Sequence, residues 1–272
     1  MTAAPISRRR ALLGAAASLA VPTIPRFALA QDQPKVAGEV DMFAYLIAKE
    51  GEPQHARKLD PADAGRYSDR VPQALIRFWI EHGRGSYFDG LYWICEPEPF
   101  DAVLDLIFEG DAEFGAPDMA VVAYDAFGRL KVWHRHLRHM NVFMMDSSVF
   151  NPTEKSWHDQ RTGQAFSEDF SISTHVAAMR SEFDQDERDF LAAAAARCGA
   201  LEPGEVYGFF PALQMGGAYK VENLKRVRAA EHFVFLAQLG PFHLTRLTPP
   251  DPPAYPFGHI VPVRVIGKPD KR

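Results

Sequence analysis

The stretch Met119-Ala120-Val121-Val122-Ala123-Tyr124-Asp125-Ala126-Phe127-Gly128-Arg129-Leu130-Lys131-Val132-Trp133-His134-Arg135-His136-Leu137-Arg138-His139-Met140-Asn141-Val142-Phe143-Met144-Met145 decides the fold. Met119–Tyr124, Leu130–Leu137 and Val142–Met145 read as strands of a meander, rich in valine and aromatic residues. Helical patterns lie on both sides. Asp41 caps an apolar-periodic run (Phe43, Leu46, Ile47) that stops at Gly51. Pro72 opens a second helix, with Leu75, Ile76, Trp79 and Ile80 on one face and Gly83 as its terminator. Phe100–Phe108 gives a third, with Phe100, Val103, Leu104 and Ile107 on one side. Residues 52–70 are polar and irregular, and Gly83-Arg84-Gly85-Ser86 reads as a turn into a strand, Leu91–Ile94. Downstream, Asp184 caps an acid-rich helix that runs through Ala192–Ala196 to Gly199. Val206–Phe210 is strand-like, Gly216-Gly217 a loop, and Ala229–Leu239 a last amphipathic helix closed by Gly240-Pro241. Strands clustered between groups of helices predict an α+β fold with an antiparallel sheet and two closely packed sub-domains, 31–165 and 168–240, rather than a wound parallel sheet.

The two ends read differently. Arg8-Arg9-Arg10 precedes a modest apolar run, and Ala28-Leu29-Ala30 is a small-x-small cleavage site before Gln31. This is the layout of an export signal, and the adjacent Arg8 and Arg9 resemble the twin-arginine type, with Ala11 where a bulky apolar residue is usual. The run is too short to span as a transmembrane helix. The expectation is a periplasmic protein cleaved after Ala30 with no stable membrane insertion, or a cytoplasmic one if the start codon is misassigned. Residues 241–272 carry Pro249, Pro250, Pro252, Pro253 and Pro256 and read as an extended, loosely attached arm. His259–Val265 is a candidate edge strand weakened by Pro262.

Charge is segregated. Residues 1–30 hold four arginines and no acid, and the tail from Pro241 holds five bases against two acids, so the chain's net −5 leaves the body 31–240 at −12. Such a body disfavours nucleic acid as a ligand and suits a basic partner or simple solubility. Two cysteines, Cys95 and Cys198, exclude a disulfide scaffold and read as small buried hydrophobes. No Gly-x-Ser-x-Gly elbow, zinc-protease motif, phosphate loop or dinucleotide fingerprint occurs, and no cofactor is implied. His134 and His136 would share one face of a strand with His139 on the other, and Asp146 or His158 would have to complete a metal site. Arg135 and Arg138 beside them make a solvent-facing strand the better reading. Asp101 and Asp105, at i and i+4, read as a solvated helix face rather than an acid–base pair.

Glycines and aromatics carry more. Trp79-x-x-His82-Gly83-x-Gly85-Ser86-Tyr87-Phe88-Asp89-Gly90-x-x-Trp93 and Tyr207-Gly208-x-x-Pro211-x-Leu213-x-x-Gly216-Gly217 place glycines where positive φ or close chain approach lets aromatics pack. The first stretch, extended back to Pro72, resembles the start of the GAD-like domain, and Tyr124-Asp125-Ala126-Phe127-Gly128 resembles its later turn. Arg129 stands where that family often has an acid, and Asp125 where a small or hydroxyl residue is common. Glu205-Val206-Tyr207-Gly208 through Gly216-Gly217-x-x-Lys220-Val221-Glu222-Asn223-Leu224 to Glu231-His232 resembles the C-terminal domain of type VI secretion immunity proteins. Trp79, Gly83, Gly85, Asp89, Gly90, Gly128, Gly208, Gly216, Gly217 and Asn223 are the motif positions.

The resemblance, covering roughly 40–239, implies a non-enzymatic immunity protein that binds and neutralises a bacterial toxin, in the best-known case a nuclease. The alternatives are an exported hydrolase or metal-dependent enzyme, or a periplasmic interaction module with no toxin partner. Export sits awkwardly with a nuclease target, which is met in the cytoplasm. Candidate contacts are the acidic helix start, Asp186 and Glu187, and the aromatics Tyr87 and Phe88 of the Gly83–Gly90 loop. N-terminal sequencing of exported protein should begin at Gln31; export unchanged by Arg8→Lys with Arg9→Lys would rule out the twin-arginine route.

Overall fold

The computed structural model describes residues 39–151, 165–177, 185–251 and 259–267. Helix α1 (Met42–Glu50) starts where Asp41 accepts from the Phe43 and Ala44 amides and stops at Gly51, whose φ is 81°. Helix α2 (Gln73–Glu81) follows Pro72, and α3 (Asp101–Phe108) follows a single 3-10 turn. Each buries the apolar face that its periodicity marks.

A nine-stranded sheet forms the centre, in the order β1 (Gln54–Arg57), β2 (Arg84–Tyr87), β3 (Tyr92–Ile94), β4 (Met119–Asp125), β5 (Arg129–His134), β6 (Arg138–Phe143), β7 (Ser148–Phe150), β10 (His243–Leu247) and β11 (Ile260–Val265). Neighbours run antiparallel except β7 and β10, which are parallel. The fold class is α+β, as expected, with one parallel pair added to the antiparallel sheet. All of β4 is buried because helices cover both faces. Alternation along β5 sorts the covers. Trp133 and its cross-strand partner His139 face α4 (Glu168–Ala177), where His139 stacks on His175 at 4.8 Å. His134 turns the other way, toward Phe114 beneath α3. On that second face Tyr124 meets Phe100 and Phe233 of α6 (Ala229–Ala237).

The remaining elements, α5 (Gln185–Cys198), the hairpin of β8 (Glu205–Phe209) with β9 (Leu224–Arg228), and α6, form the second unit. It is inserted between α4, which packs on α1, α2, β5 and β6, and β10, which rejoins the main sheet.

Several local readings change. Arg84–Tyr87 is a strand rather than a turn, because β1 pairs with it; the polar segment 52–70 supplies that partner, and all four β1 residues are exposed at the sheet edge. The strand expected over 130–137 ends at His134. Residues 135–137 turn, and the His134 imidazole accepts from the His136 and Leu137 amides. His134 and His139 are buried at 3% and 7% exposure, which overturns the solvent-facing reading. The described parts of the tail, 241–251 and 259–267, are not loosely attached. β10 and β11 extend the sheet, and Arg264 binds Asp111, whose side chain is 1% exposed, at 2.6 Å. Pro262 is accommodated because β11 is an edge strand beside a register shift. Asp184, His158, Pro252, Pro253, Pro256 and the signal residues Arg8, Arg9, Ala28 and Ala30 lie outside the described residues.

Several buried groups tie stability to pH, His139 and Asp111 among them, with burial depressing His134 and His175 in the same sense as His139. Burial pushes the His139 imidazole down to about 4. A histidine depressed in the fold is protonated first in the unfolded chain, so its stability is complete above about 6.5 and is lost as pH falls toward 4. Burial alone would raise Asp111, but Arg264 and three backbone amides hold it well below the usual carboxylate range, so its contribution is lost at still lower pH. Urea denaturation should show stability falling by roughly 3 kcal/mol between pH 6.5 and 4 through His139, and His139→Asn should flatten that slope.

Candidate partner-binding surface

The motif turns of the two units meet one another. In the β4–β5 turn, the Asp125 carboxylate accepts from the Phe127 and Arg129 amides, both at 2.9 Å. Its second oxygen lies 3.3 Å from the Arg129 guanidinium, which also binds Glu187 of α5 at 3.0 Å. The two departures from the GAD-like pattern, Asp125 and Arg129, thus answer each other, and Arg129 reaches across to the second unit. The same turn sends the Ala126 carbonyl to the Tyr207 amide at 2.9 Å and packs Phe127 on Phe190 and Tyr207. Gly128, with φ 93°, leaves room for Phe233 and Met144, each 3.2 Å from where a Cβ would stand.

The first glycine motif joins the same contact. Phe88, Asp89 and Gly90 all have positive φ and close the β2–β3 turn. Gly90 lies against Leu201, and the Gly90 carbonyl accepts from the Trp93 indole at 2.8 Å. Trp79 is fully buried, with the Tyr67 ring edge-on at 5.2 Å and the Arg84 guanidinium over it at 5.8 Å. Gly83 has φ 96°, whereas Gly85 is needed for close approach: a Cβ there would lie 2.4 Å from the Gln54 carbonyl oxygen.

In the second motif Gly216 has φ 84° and ends a 3-10 turn, while a Cβ on Gly217 would fall 2.0 Å from the Pro211 oxygen. Asn223 closes this loop from the far side, donating to the Ala218 carbonyl at 2.8 Å and accepting from the Phe210 amide. Gly208 opens a slot that the His232 ring fills.

These positions change the list of contact candidates. Tyr87 is 3% exposed and Phe88 lies under the Arg188 guanidinium at 5.3 Å, so neither stands out as an aromatic anchor; both are used inside the molecule. Glu187, at 13% side-chain exposure, is bound to Arg129, and of the acidic pair only Asp186 is exposed. Candidates for chemistry are consumed in the same way. Asp101 holds Arg70 through two hydrogen bonds, at 2.6 and 3.2 Å, and the ring nitrogen of His134 nearest its backbone is taken by two amides. Among the described residues no group of three His, Cys, Asp or Glu side chains is placed to hold a metal, and no helix is long and apolar enough to cross a membrane. Cys95 and Cys198 are free thiols, each partly buried against the core. A cleft of about 200 Å³ lies between α1, α2 and α4. Three of its carboxylates are spent on local structure: Asp41 caps α1, Glu39 binds Ser167, and Asp169 binds the Ala74 amide.

Exposed aliphatic residues are spread over α3 (Leu106), the 3-10 turn at Met215, β10 (Leu247) and β11 (Val263, Val265), whereas the exposed phenylalanines are on the second unit: Phe210 at 37% and Phe235 at 44% exposure, with His232 between them and Lys225 above Phe210. The sequence held a signal for this. The α6 segment Ala229-Ala230-Glu231-His232-Phe233-Val234-Phe235-Leu236-Ala237 is apolar nearly all round, so a helix packed on one side must leave an apolar residue in water.

Comparison with known proteins divides the chain in two. Residues 41–145 match the GAD-like domain, and residues 169–240 match the C-terminal domain of the type VI secretion immunity protein Tdi1. No curated protein matches. The crystal structure of Atu4351 from Agrobacterium tumefaciens is similar in fold, with a TM-score of 0.64 at 22% identity over 82% of this chain and 96% of that one. The second match begins at the start of α4, although α4 packs with the first unit.

The junction yields a test. Arg129→Ala leaves the Asp125 and Glu187 carboxylates without their shared cation and should cost about 3 kcal/mol, read from urea midpoints. Gly217→Val should cost roughly 1–3 kcal/mol by displacing the Pro211 loop.

Proposed function

The chain carries a GAD-like domain followed by the C-terminal domain of a type VI secretion immunity protein, and from that premise we propose that it binds and neutralises a bacterial toxin effector without enzymatic turnover. The match over 169–240 carries this reading. The run Gly216-Gly217 to Leu224 supports it physically: those residues build one fixed loop, cross-linked by Asn223, beside the outward-facing aromatics. A rigid loop on a packed scaffold presents a surface that binds with little ordering cost.

The partner is a protein, and the reading extends to a basic one, with a nuclease as the leading class. A body at −12 attracts a phosphate-binding enzyme over distance and speeds encounter, while disfavouring nucleic acid itself. On this proposal the Arg8-Arg9 signal supports export to the periplasm, so the effector is one encountered there, or the copy has been put to another use.

Masking predicts stoichiometry. Titrating the purified protein into its cognate effector, sought among the genes beside its own, should abolish toxicity or nuclease activity at one equivalent. Raising ionic strength should slow association more than it speeds dissociation. Multiple-turnover hydrolysis by the purified protein, or no complex at micromolar concentration, would move the assignment to an exported enzyme.

A further inference from the structure

The outer face of the β8–β9 hairpin and α6 carries a ladder of three rings. Phe210 and His232 lie 5.7 Å apart at 31°, and His232 and Phe235 lie 6.1 Å apart at 29°. The outer rings are exposed; the middle one is seated over Gly208, where a Cβ would fall 2.5 Å from its Nε2. Glycine at 208 therefore fixes the height of the ladder. The Lys225 ammonium lies 4.9 Å above the Phe210 ring, is exposed, and has no carboxylate partner among the described residues.

We propose that this ladder anchors the effector interface, receiving a protein knob made of an aliphatic or aromatic side chain with a carboxylate beside it. The proposal rests on the immunity reading above. Rigid, half-exposed aromatics backed by a packed core have the character of interface hot spots, since their faces are dewetted at little entropic cost. The unpaired ammonium on the rim supplies the charge preference. Local charge agrees: residues 197–232 carry five bases and four acids, whereas the body as a whole stands at −12. This part of the body is close to neutral and does not repel a carboxylate. Labour is divided between the acidic remainder, which attracts a basic partner from a distance, and the ladder, which holds it in contact. A nucleobase would also stack on such rings, but the phosphates that come with it are repelled by a body at −12.

The test uses calorimetry with the full mature chain and a catalytically inactivated form of the effector that the titration above identifies, with a single-stranded oligonucleotide as a second probe. Phe210→Ala and Phe235→Ala should each weaken effector binding by about tenfold or more. Lys225→Glu should weaken it more than Lys225→Gln, with thermal melting unchanged. If an alanine variant fails to fold, Phe235→Leu and the exposed Lys225 pair still decide the matter. Folded variants that bind like the wild type overturn the ladder and leave the immunity reading standing. A wild-type chain that binds no effector overturns both. Oligonucleotide binding lost on Phe210→Ala overturns the protein knob.

Discussion

The Asp125 carboxylate fastens the two units of this molecule to one another. Inside the β4–β5 turn it satisfies two amides that would otherwise be buried without partners, and beside the turn it meets Arg129. Arg129 carries the network to Glu187 on α5, and the same turn offers the Ala126 carbonyl to Tyr207 and the Phe127 ring to Phe190. A half-buried guanidinium held between two carboxylates is stable only while all three remain together. The turn that closes a hairpin of the first unit is therefore also the fastening of the second.

The path of the chain explains why such a fastening suffices. The second unit leaves the main body after α4 and returns through β10, so both of its ends are held by the central sheet. The His139–His175 stack and the hydrogen bond from the Tyr92 hydroxyl to the Val176 carbonyl hold α4. At the far side, parallel pairing with β7 and the buried Asp111–Arg264 pair hold β10 and β11. An insertion closed at both ends loses little entropy on docking, because its loop is already short in space. Family boundaries and physical boundaries consequently differ: α4 is matched with the second unit and packed with the first.

Docking also divides the aromatics into two populations. Phe88, Phe127, Tyr207 and Phe190 are consumed at the junction, whereas Phe210 and Phe235 are left on the outside of the same hairpin and helix. The acidic residues divide likewise: Glu187 is spent on Arg129, and Asp186 stays in water. Composition alone treats each pair as equivalent, yet only one member of each is available to a partner.

The sequence by itself determined the elements whose signal is local. Asp41, Gly51, Pro72 and Gly83 bound α1 and α2 because caps and terminators act within one turn of chain. The apolar runs of β4 and β5 are strands in any context that buries them, and the Gly216-Gly217 and Asn223 loop is likewise written in its own residues. Tertiary structure decided what depends on a partner distant in sequence. Gln54–Arg57 is a strand only because Arg84–Tyr87 lies beside it, and β10 and β11 exist because β7 offers an edge. His134 and His139 look like surface ligands until α3 and α4 cover opposite faces of the sheet. Whether Phe88 or Phe235 faces the solvent is likewise a property of the docked whole, since a side chain's exposure is set by what packs over it and not by its neighbours in the chain.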